Sequence, residues 1–303
     1  MELIPAIVRP IIEWGIREEL LHGDHTGQFL AGPDQMARAQ IYMKKPGVIC
    51  GLPVAEQTFK LLDPDCRIEL KAKDGDEGGP GKVLMVVTGK AWIFSAGERL
   101  ALDYLQHLSG IATKARRFAK LAEPYGVRIP DARKGIPPIR VLQKYAVRTG
   151  GAFAHMYSLH NALLIKDNHI KMAGGLYKAV TKLRSKVQHS FKIEVECESL
   201  DDVREALRAG AECIMLDNMP LDMMREAVKI IGDKAFKEAT GGVDEDMIVP
   251  ICQTGVDQIA IGGIVHSVTV VDISIDIGSM KASAKRDIAQ AKTGAKPGRR
   301  KAK

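Results

Sequence analysis

Between Pro130 and Ile170 the chain reads PDARKGIPPIRVLQKYAVRTGGAFAHMYSLHNALLIKDNHI, a window that holds Arg133, Lys134, Arg140, His155, His160, Lys166 and His169. Guanidinium and ammonium groups that converge select an anion, and the planar fork of arginine suits a carboxylate or phosphate. Lys166, Asp167, Asn168 and His169 directly follow a short apolar run, residues 162–165, with the texture of a buried strand. Polar groups in that place sit at the strand's C-terminal end, where parallel α/β folds bind ligands. The window therefore reads as an anion-binding active site, with His160 and His169 as structural hydrogen-bonding groups.

Carboxylates and glycines follow further along the chain. In Ile193-Glu194-Val195-Glu196 the alternation points both acids to one face, which in a barrel is the interior or its mouth. Acids placed there need cations or a metal to meet. Asp217, with Asn218 beside it, follows the apolar Ile214-Met215-Leu216 in the same way. Thr240-Gly241-Gly242 and Gly262-Gly263 each come just after a late strand, with His266 close behind. Glycines let backbone amides approach an anion, and late-strand loops of barrels recurrently hold phosphate. A lone glycine pair is as readily a plain turn, and the cations could simply pair with Glu196 and Asp217.

The elements that must position these groups alternate. Strands are expected at 127–129, 162–165, 192–197, 213–216, 237–239 and 258–261, with helices between them. Ser199 is placed to cap one of these helices and Pro220 to open the first turn of another. Repeated βα units with buried strands mean a parallel sheet closed, or nearly closed, into a barrel. Ahead of them, residues up to about Leu30 read as a helix and a loop, and residues 40–91 as short strands broken by Gly and Pro, with one helix after Gly51-Leu52-Pro53. The loop at residues 74–81 reads as a turn, because no helix N-terminus follows it to make a phosphate cradle. Residues 95–119 form a long amphipathic helix, and the apolar stretch 268–277 is expected to rejoin the N-terminal part.

Composition limits the class. The 303 residues, 46% of them hydrophobic, suffice for two domains or one large α/β barrel. No apolar run reaches the ~18 residues of a membrane span, so a cytoplasmic protein is expected. Cys50, Cys66, Cys197, Cys213 and Cys252 show no C-x-x-C spacing, which points to free thiols. The net charge of +7 comes largely from Lys292, Lys296, Arg299, Arg300, Lys301 and Lys303, in a stretch without acids. A disordered basic tail at 292–303 is the reading, with weak polyanion contact as the alternative and no specific nucleic-acid partner.

The order Asp131-x-Arg133-Lys134, Pro137, Arg140, Lys144-Tyr145-Ala146-Val147, Gly150-Gly151, His155 and Leu164-Ile165-Lys166-Asp167-Asn168-His169 resembles the quinolinate phosphoribosyltransferase family. The likeness also takes in Leu20-x-x-Gly23-Asp24-x-Thr26 and Glu98-Arg99, and runs from about Leu20 to Ile277. It implies an α/β fold, an incomplete parallel β/α barrel (113–267) with an N-terminal α/β sandwich domain (1–112, joined by 268–291). It implies transfer of phosphoribose from phosphoribosyl pyrophosphate (PRPP) to quinolinate, with release of carbon dioxide and pyrophosphate.

Carried over residue by residue, the resemblance makes Lys134, Glu196 and Asp217 catalytic, with the two acids also facing Mg²⁺ at the ribose end of PRPP. Arg99, Arg133, His155 and Lys166 would bind the aromatic acid, and Thr240, Gly241, Gly242, Gly262, Gly263 and His266 the phosphate. Arg99 would serve a neighbouring subunit, which implies a homodimer or higher homo-oligomer. The chain departs from the family at Ala132 and Gly135, where hydroxyls are usual, at Pro138 and Ala152, where glycine is usual, and at Met156, where the family has arginine. A charged hydrogen bond lost there is worth about 1.5–3 kcal/mol. Three readings follow: transfer to quinolinate, transfer to a different acceptor, or a non-catalytic binding protein. The retained Lys134, Lys166, Glu196 and Asp217 argue against the last.

Overall fold

A computed structural model of the chain describes residues 3–278. Its first elements are α1 (Pro5–Glu19), α2 (His25–Leu30), β1 (Met36–Met43), β2 (Gly47–Val48), α3 (Leu52–Leu62), β3 (Arg67–Leu70), β4 (Glu77–Gly78), β5 (Val83–Lys90) and α4 (Trp92–Ala122). Then come α5 (Arg140–Thr149), β6 (Leu163–Ile165), α6 (Asp167–Ala173), α7 (Leu176–Arg184), β7 (Ile193–Cys197), α8 (Leu200–Ala209), β8 (Cys213–Asp217) and α9 (Leu221–Ile231). The last are β9 (Phe236–Thr240), α10 (Glu245–Cys252), β10 (Gln258–Ile259), α11 (Gly263–His266) and β11 (Ile273–Ile277). They fall into two compact units, the described residues 3–113 with 268–278, and 114–267. No described helix is long and apolar enough to cross a membrane. The basic stretch 292–303 lies outside the described residues.

The first unit is built on an antiparallel sheet in the order β11-β1-β5-β3. Ile41, Met43, Met85 and Val87 of its strands are buried with Phe59 of α3 and Phe94 of α4, whose rings lie 6.1 Å apart. The expected N-terminal loop is instead the short helix α2, because the Asp24 side chain accepts the Gly27 N–H and starts it. The loop at 74–81 is more than a turn. Its β4 pairs with β2, and the Asp74 carboxylate accepts the N–H groups of Gly51 and Leu52 at 2.9 and 3.0 Å, satisfying the start of α3. Gly51, at φ 104°, makes the turn into that helix.

The second unit is a five-stranded parallel sheet in the order β10-β9-β8-β7-β6, with helices between successive strands. Ser199 and Asp202 form a reciprocal capping box at the start of α8. Pro220 takes the cap position of α9 rather than its first turn. The strand expected at 127–129 appears as isolated parallel bridges, Arg128 with Gln258 and Pro130 with Phe153. Pro130 has no N–H to donate, so a regular ladder stops there. The segment is nonetheless held on both sides: Ile259 N–H donates to Arg128 O, Ile261 N–H to Pro130 O, and Phe153 N–H to Ile129 O. The sheet thus extends past β10 through residues 128–130 to Phe153, as an incomplete barrel would.

All five cysteines are free, and all but Cys213 are buried. Asp74→Ala removes the acceptor for two helix-start N–H groups and should lower stability by about 1–2 kcal/mol. Urea denaturation of the full-length protein checks this; an unchanged midpoint would remove Asp74 from the account of α3.

Candidate active site

The polar residues singled out in the sequence stand at the C-terminal ends of successive neighbouring strands. Lys166 follows β6, Glu196 lies near the end of β7, Asp217 ends β8, Thr240 ends β9, and Gly262-Gly263 follow β10. Lys166 Nζ is 2.7 Å from Glu196 Oε1, so the cation and the acid of adjacent strands already meet. Asp217 and Thr240 are in register across β8 and β9. The Asn218 amide donates to Asp217 Oδ1 at 3.1 Å, and its backbone N–H donates to Thr240 O.

The glycines have steric reasons. Asn218 holds φ 53° and Gly241 φ 94°, and a Cβ on Gly241 would stand 2.4 Å from the Asn218 side chain. A Cβ on Gly262 would stand 2.9 Å from Lys134 Cδ and 3.3 Å from the His266 ring. Bare backbone at 262 is therefore what lets the Lys134 stem and His266 lie against this loop. Lys114, unremarked in the sequence, donates to Gly263 O at 2.8 Å and Ser267 O at 3.0 Å, fixing the same loop from α4.

Beneath the strand ends lies a buried charged chain whose pairings the sequence did not reveal. Lys144 of α5 and Asp131 pair at 2.7 Å, each side chain 1% exposed. Burial pushes Asp131 up and Lys144 down, and the attraction between them works against both shifts. Asp131 Oδ1 also accepts the His155 N–H at 2.8 Å. His155 Nε2 lies 3.3 Å from Glu238 Oε2 and 3.8 Å from Glu194 Oε2. Burial alone favours the neutral ring, but the hydrogen bond and charge of Glu238, with Glu194 behind it, outweigh this and raise His155 above the usual range. Glu194 is itself pushed up to about 7, by burial first and by Glu238 second. Cys213 donates to Glu194, and Gln258 to Glu238. His155, Glu194 and Glu238 each offer a ligand atom within 4.8 Å of the others, and they are in contact with one another and with Cys213 and Gln258.

Arg133 and Lys134 are exposed, and no ion pair joins either to another described residue. Met156, next to His155, is 7% exposed and offers a thioether where a charge was expected of the family. His160 and His169 are hydrogen-bonding groups as anticipated: His160 Nδ1 meets Ser158 Oγ at 2.8 Å, and His169 Nδ1 accepts the Lys166 N–H at 3.1 Å. Arg99 belongs to the other unit and lies exposed, 3.4 Å from Asp103 on its own helix. A cavity of about 410 Å³ bordered by Tyr125, Arg128, Phe236 and Asp257 opens at the N-terminal ends of β9 and β10, the end opposite these residues.

Residues 111–276 match the sequence model of the quinolinate phosphoribosyl transferase C-terminal domain, and residues 24–109 that of its N-terminal domain. The chain is 38% identical over 260 residues to a protein of Bacillus subtilis designated probable nicotinate-nucleotide pyrophosphorylase (carboxylating), covering 86% of this chain and 90% of that one. The structure superposes on the crystal structure of NadC from Streptococcus pyogenes with a TM-score of 0.88 at 30% identity, over 93% of this chain and 100% of that one. It superposes on the nicotinate-nucleotide pyrophosphorylase of Francisella tularensis with a TM-score of 0.86 at 34% identity, over 91% and 98%.

Lys144→Met keeps the volume but leaves Asp131 buried without its cation, and should cost about 3–5 kcal/mol of stability. In an Asp131→Asn background the same substitution should cost far less. Chemical denaturation of the four proteins measures the difference, and an equal cost in both backgrounds would dissolve the pair as an energetic unit.

Proposed function

The chain belongs to the quinolinate phosphoribosyltransferase family, and on that premise we propose that it transfers phosphoribose from PRPP to the ring nitrogen of quinolinate. The products are nicotinate mononucleotide, carbon dioxide and pyrophosphate, which places the protein in NAD biosynthesis. The observation that carries this reading is the order of groups along the strand ends. A cation (Lys166), two carboxylates (Glu196, Asp217) and two glycine loops (240–242, 262–263) follow one another on β6, β7, β8, β9 and β10. That is the order of an acid, a ribose and a phosphate laid across the mouth of one sheet.

Arg133, His155 and Lys166 take the carboxylates of quinolinate, with Arg99 of a neighbouring subunit completing the site in a homodimer or larger assembly. The glycine loops, Thr240 and His266 take the 5′-phosphate through backbone amides and side-chain donors. As the bond from ribose C1 to pyrophosphate breaks, its electron pair leaves with pyrophosphate, and Lys134 meets the charge that gathers there. The ribose carbon becomes positive in the same step, and the fixed carboxylates of Glu196 and Asp217 stabilise it. The lone pair of the ring nitrogen then closes the C–N bond. The resulting pyridinium accepts the electrons of the adjacent ring–carboxylate bond, carbon dioxide departs, and a proton replaces it on the ring carbon.

The donor set fits Mg²⁺. Glu196 and Asp217 present hard oxygens from neighbouring strands, both partly exposed, and Mg²⁺ favours one or two carboxylates together with substrate phosphates. When bound, the ion would neutralise pyrophosphate oxygens. Lys166 must exchange Glu196 for substrate. With Met156 apolar, Arg133 and Lys166 carry more of the dicarboxylate than a pocket with an added arginine would require.

Pyrophosphate release from PRPP and Mg²⁺ should proceed with quinolinate and not with nicotinate. Lys134→Ala and Glu196→Ala should each lower kcat by at least about 100-fold with the melting temperature unchanged. Turnover with another aromatic acid but not quinolinate would overturn the acceptor, and wild-type rates in both variants would overturn the site.

A further inference from the structure

Two buried acids sit one strand step below the mouth. Glu238 is two residues before Thr240 on β9, and Glu194 two residues before Glu196 on β7, so each shares the inward face of a mouth residue. Glu238 is fully buried. Its Oε2 accepts from Gln258 and faces His155 Nε2 at 3.3 Å, while its Oε1 has no hydrogen-bond partner among the described residues. A fully buried carboxylate is costly unless a charge answers it, and the imidazole is the group within reach. His155 is in turn held at its backbone by Asp131. Its Nδ1 takes part in no hydrogen bond among the described residues, and the side chain is 13% exposed.

We propose that Glu238 is a positioning residue of the acid-binding site: it holds the His155 ring by Nε2, so that Nδ1–H is presented to a substrate carboxylate as a charged donor. Without the Glu238 charge a neutral ring still donating Nε2–H would turn a lone pair at Nδ1 toward the anion, and attraction would become repulsion. Glu194, 3.8 Å from the same nitrogen, backs this contact but is already engaged by Cys213, which leaves Glu238 as the nearer acceptor. The idea rests on the transferase reading, since it needs a carboxylate to arrive at His155.

The test is a double-mutant cycle on the full-length protein, with quinolinate affinity measured by calorimetry and the KM for PRPP measured in parallel. Glu238→Gln keeps the shape and an oxygen acceptor but removes the charge. It should weaken quinolinate at least about tenfold, the worth of one charged hydrogen bond, with the KM for PRPP within about twofold of wild type. In a His155→Ala background the same substitution should change quinolinate affinity by less than about twofold, because the residue acts through the ring. Equal losses in both backgrounds, or a tenfold loss in PRPP as well, would show a structural role and overturn the proposal. So would unchanged affinity in Glu238→Gln. If that variant does not fold, Glu238→Asp, which keeps the charge but draws it back from the ring, should weaken quinolinate selectively, and no change would equally overturn the idea. Failure of the wild-type protein to bind quinolinate at all would instead count against the acceptor assigned above.

Discussion

The pair formed by Lys144 and Asp131 is the constraint on which the second unit's site depends. Both groups are sealed from water at 2.7 Å, and Asp131 is also the residue that fixes His155 through its backbone. A buried ion pair is poor evidence of net stability, since desolvation of both charges offsets most of their attraction. What it provides is geometry. Asp131 stands at the head of the segment carrying Arg133 and Lys134, so one contact sets where two exposed cations start and where the imidazole is anchored. Removing either partner would leave the other buried and uncompensated.

From that anchor the charges alternate inward and upward. Lys144 answers Asp131, Asp131 holds His155, and His155 lies against Glu238 and Glu194. At the mouth Lys166 answers Glu196. Each of these groups is thus kept in place by a protein charge of opposite sign. The glycines do the complementary work: at 241 and 262 they leave the backbone bare, where a side chain would collide with Asn218 or with Lys134. Cations, carboxylates and bare backbone amides are the three kinds of surface that a dicarboxylate, a ribose and a phosphate require.

Much of this was legible in the sequence because buried parallel strands write themselves as apolar runs followed by polar residues. Lys166, Asp217 and the two glycine loops were found that way, and each does lie at a strand end. Other groups were not legible. Lys144 falls within a helix whose lysine would ordinarily be placed on the solvent side, and only the fold brings Asp131, 13 residues earlier in the chain, against it. Glu238 sits in Phe236-Lys237-Glu238-Ala239-Thr240, where a lone acid reads as half-exposed; its partners come from residues 155 and 258. Glu194 carried a signal, since its alternation with Glu196 put both on one face, but nothing in the spacing separates the deeper acid from the outer one. Residues 127–129 join the sheet only through isolated bridges, and local composition cannot show a ladder broken at Pro130. Asp74 reaches its helix start across 22 residues, and such a cap has no local signature.

The proposed reaction requires the acid to lose a carboxyl group once the C–N bond has formed. The measurement that tests this most directly is carbon dioxide release from quinolinate labelled at the carboxyl adjacent to the ring nitrogen, followed beside pyrophosphate with PRPP and Mg²⁺ present. One labelled carbon dioxide per pyrophosphate is the expected result. Pyrophosphate formed without labelled carbon dioxide would contradict the account, because the strand-end site would then be transferring phosphoribose to something other than quinolinate.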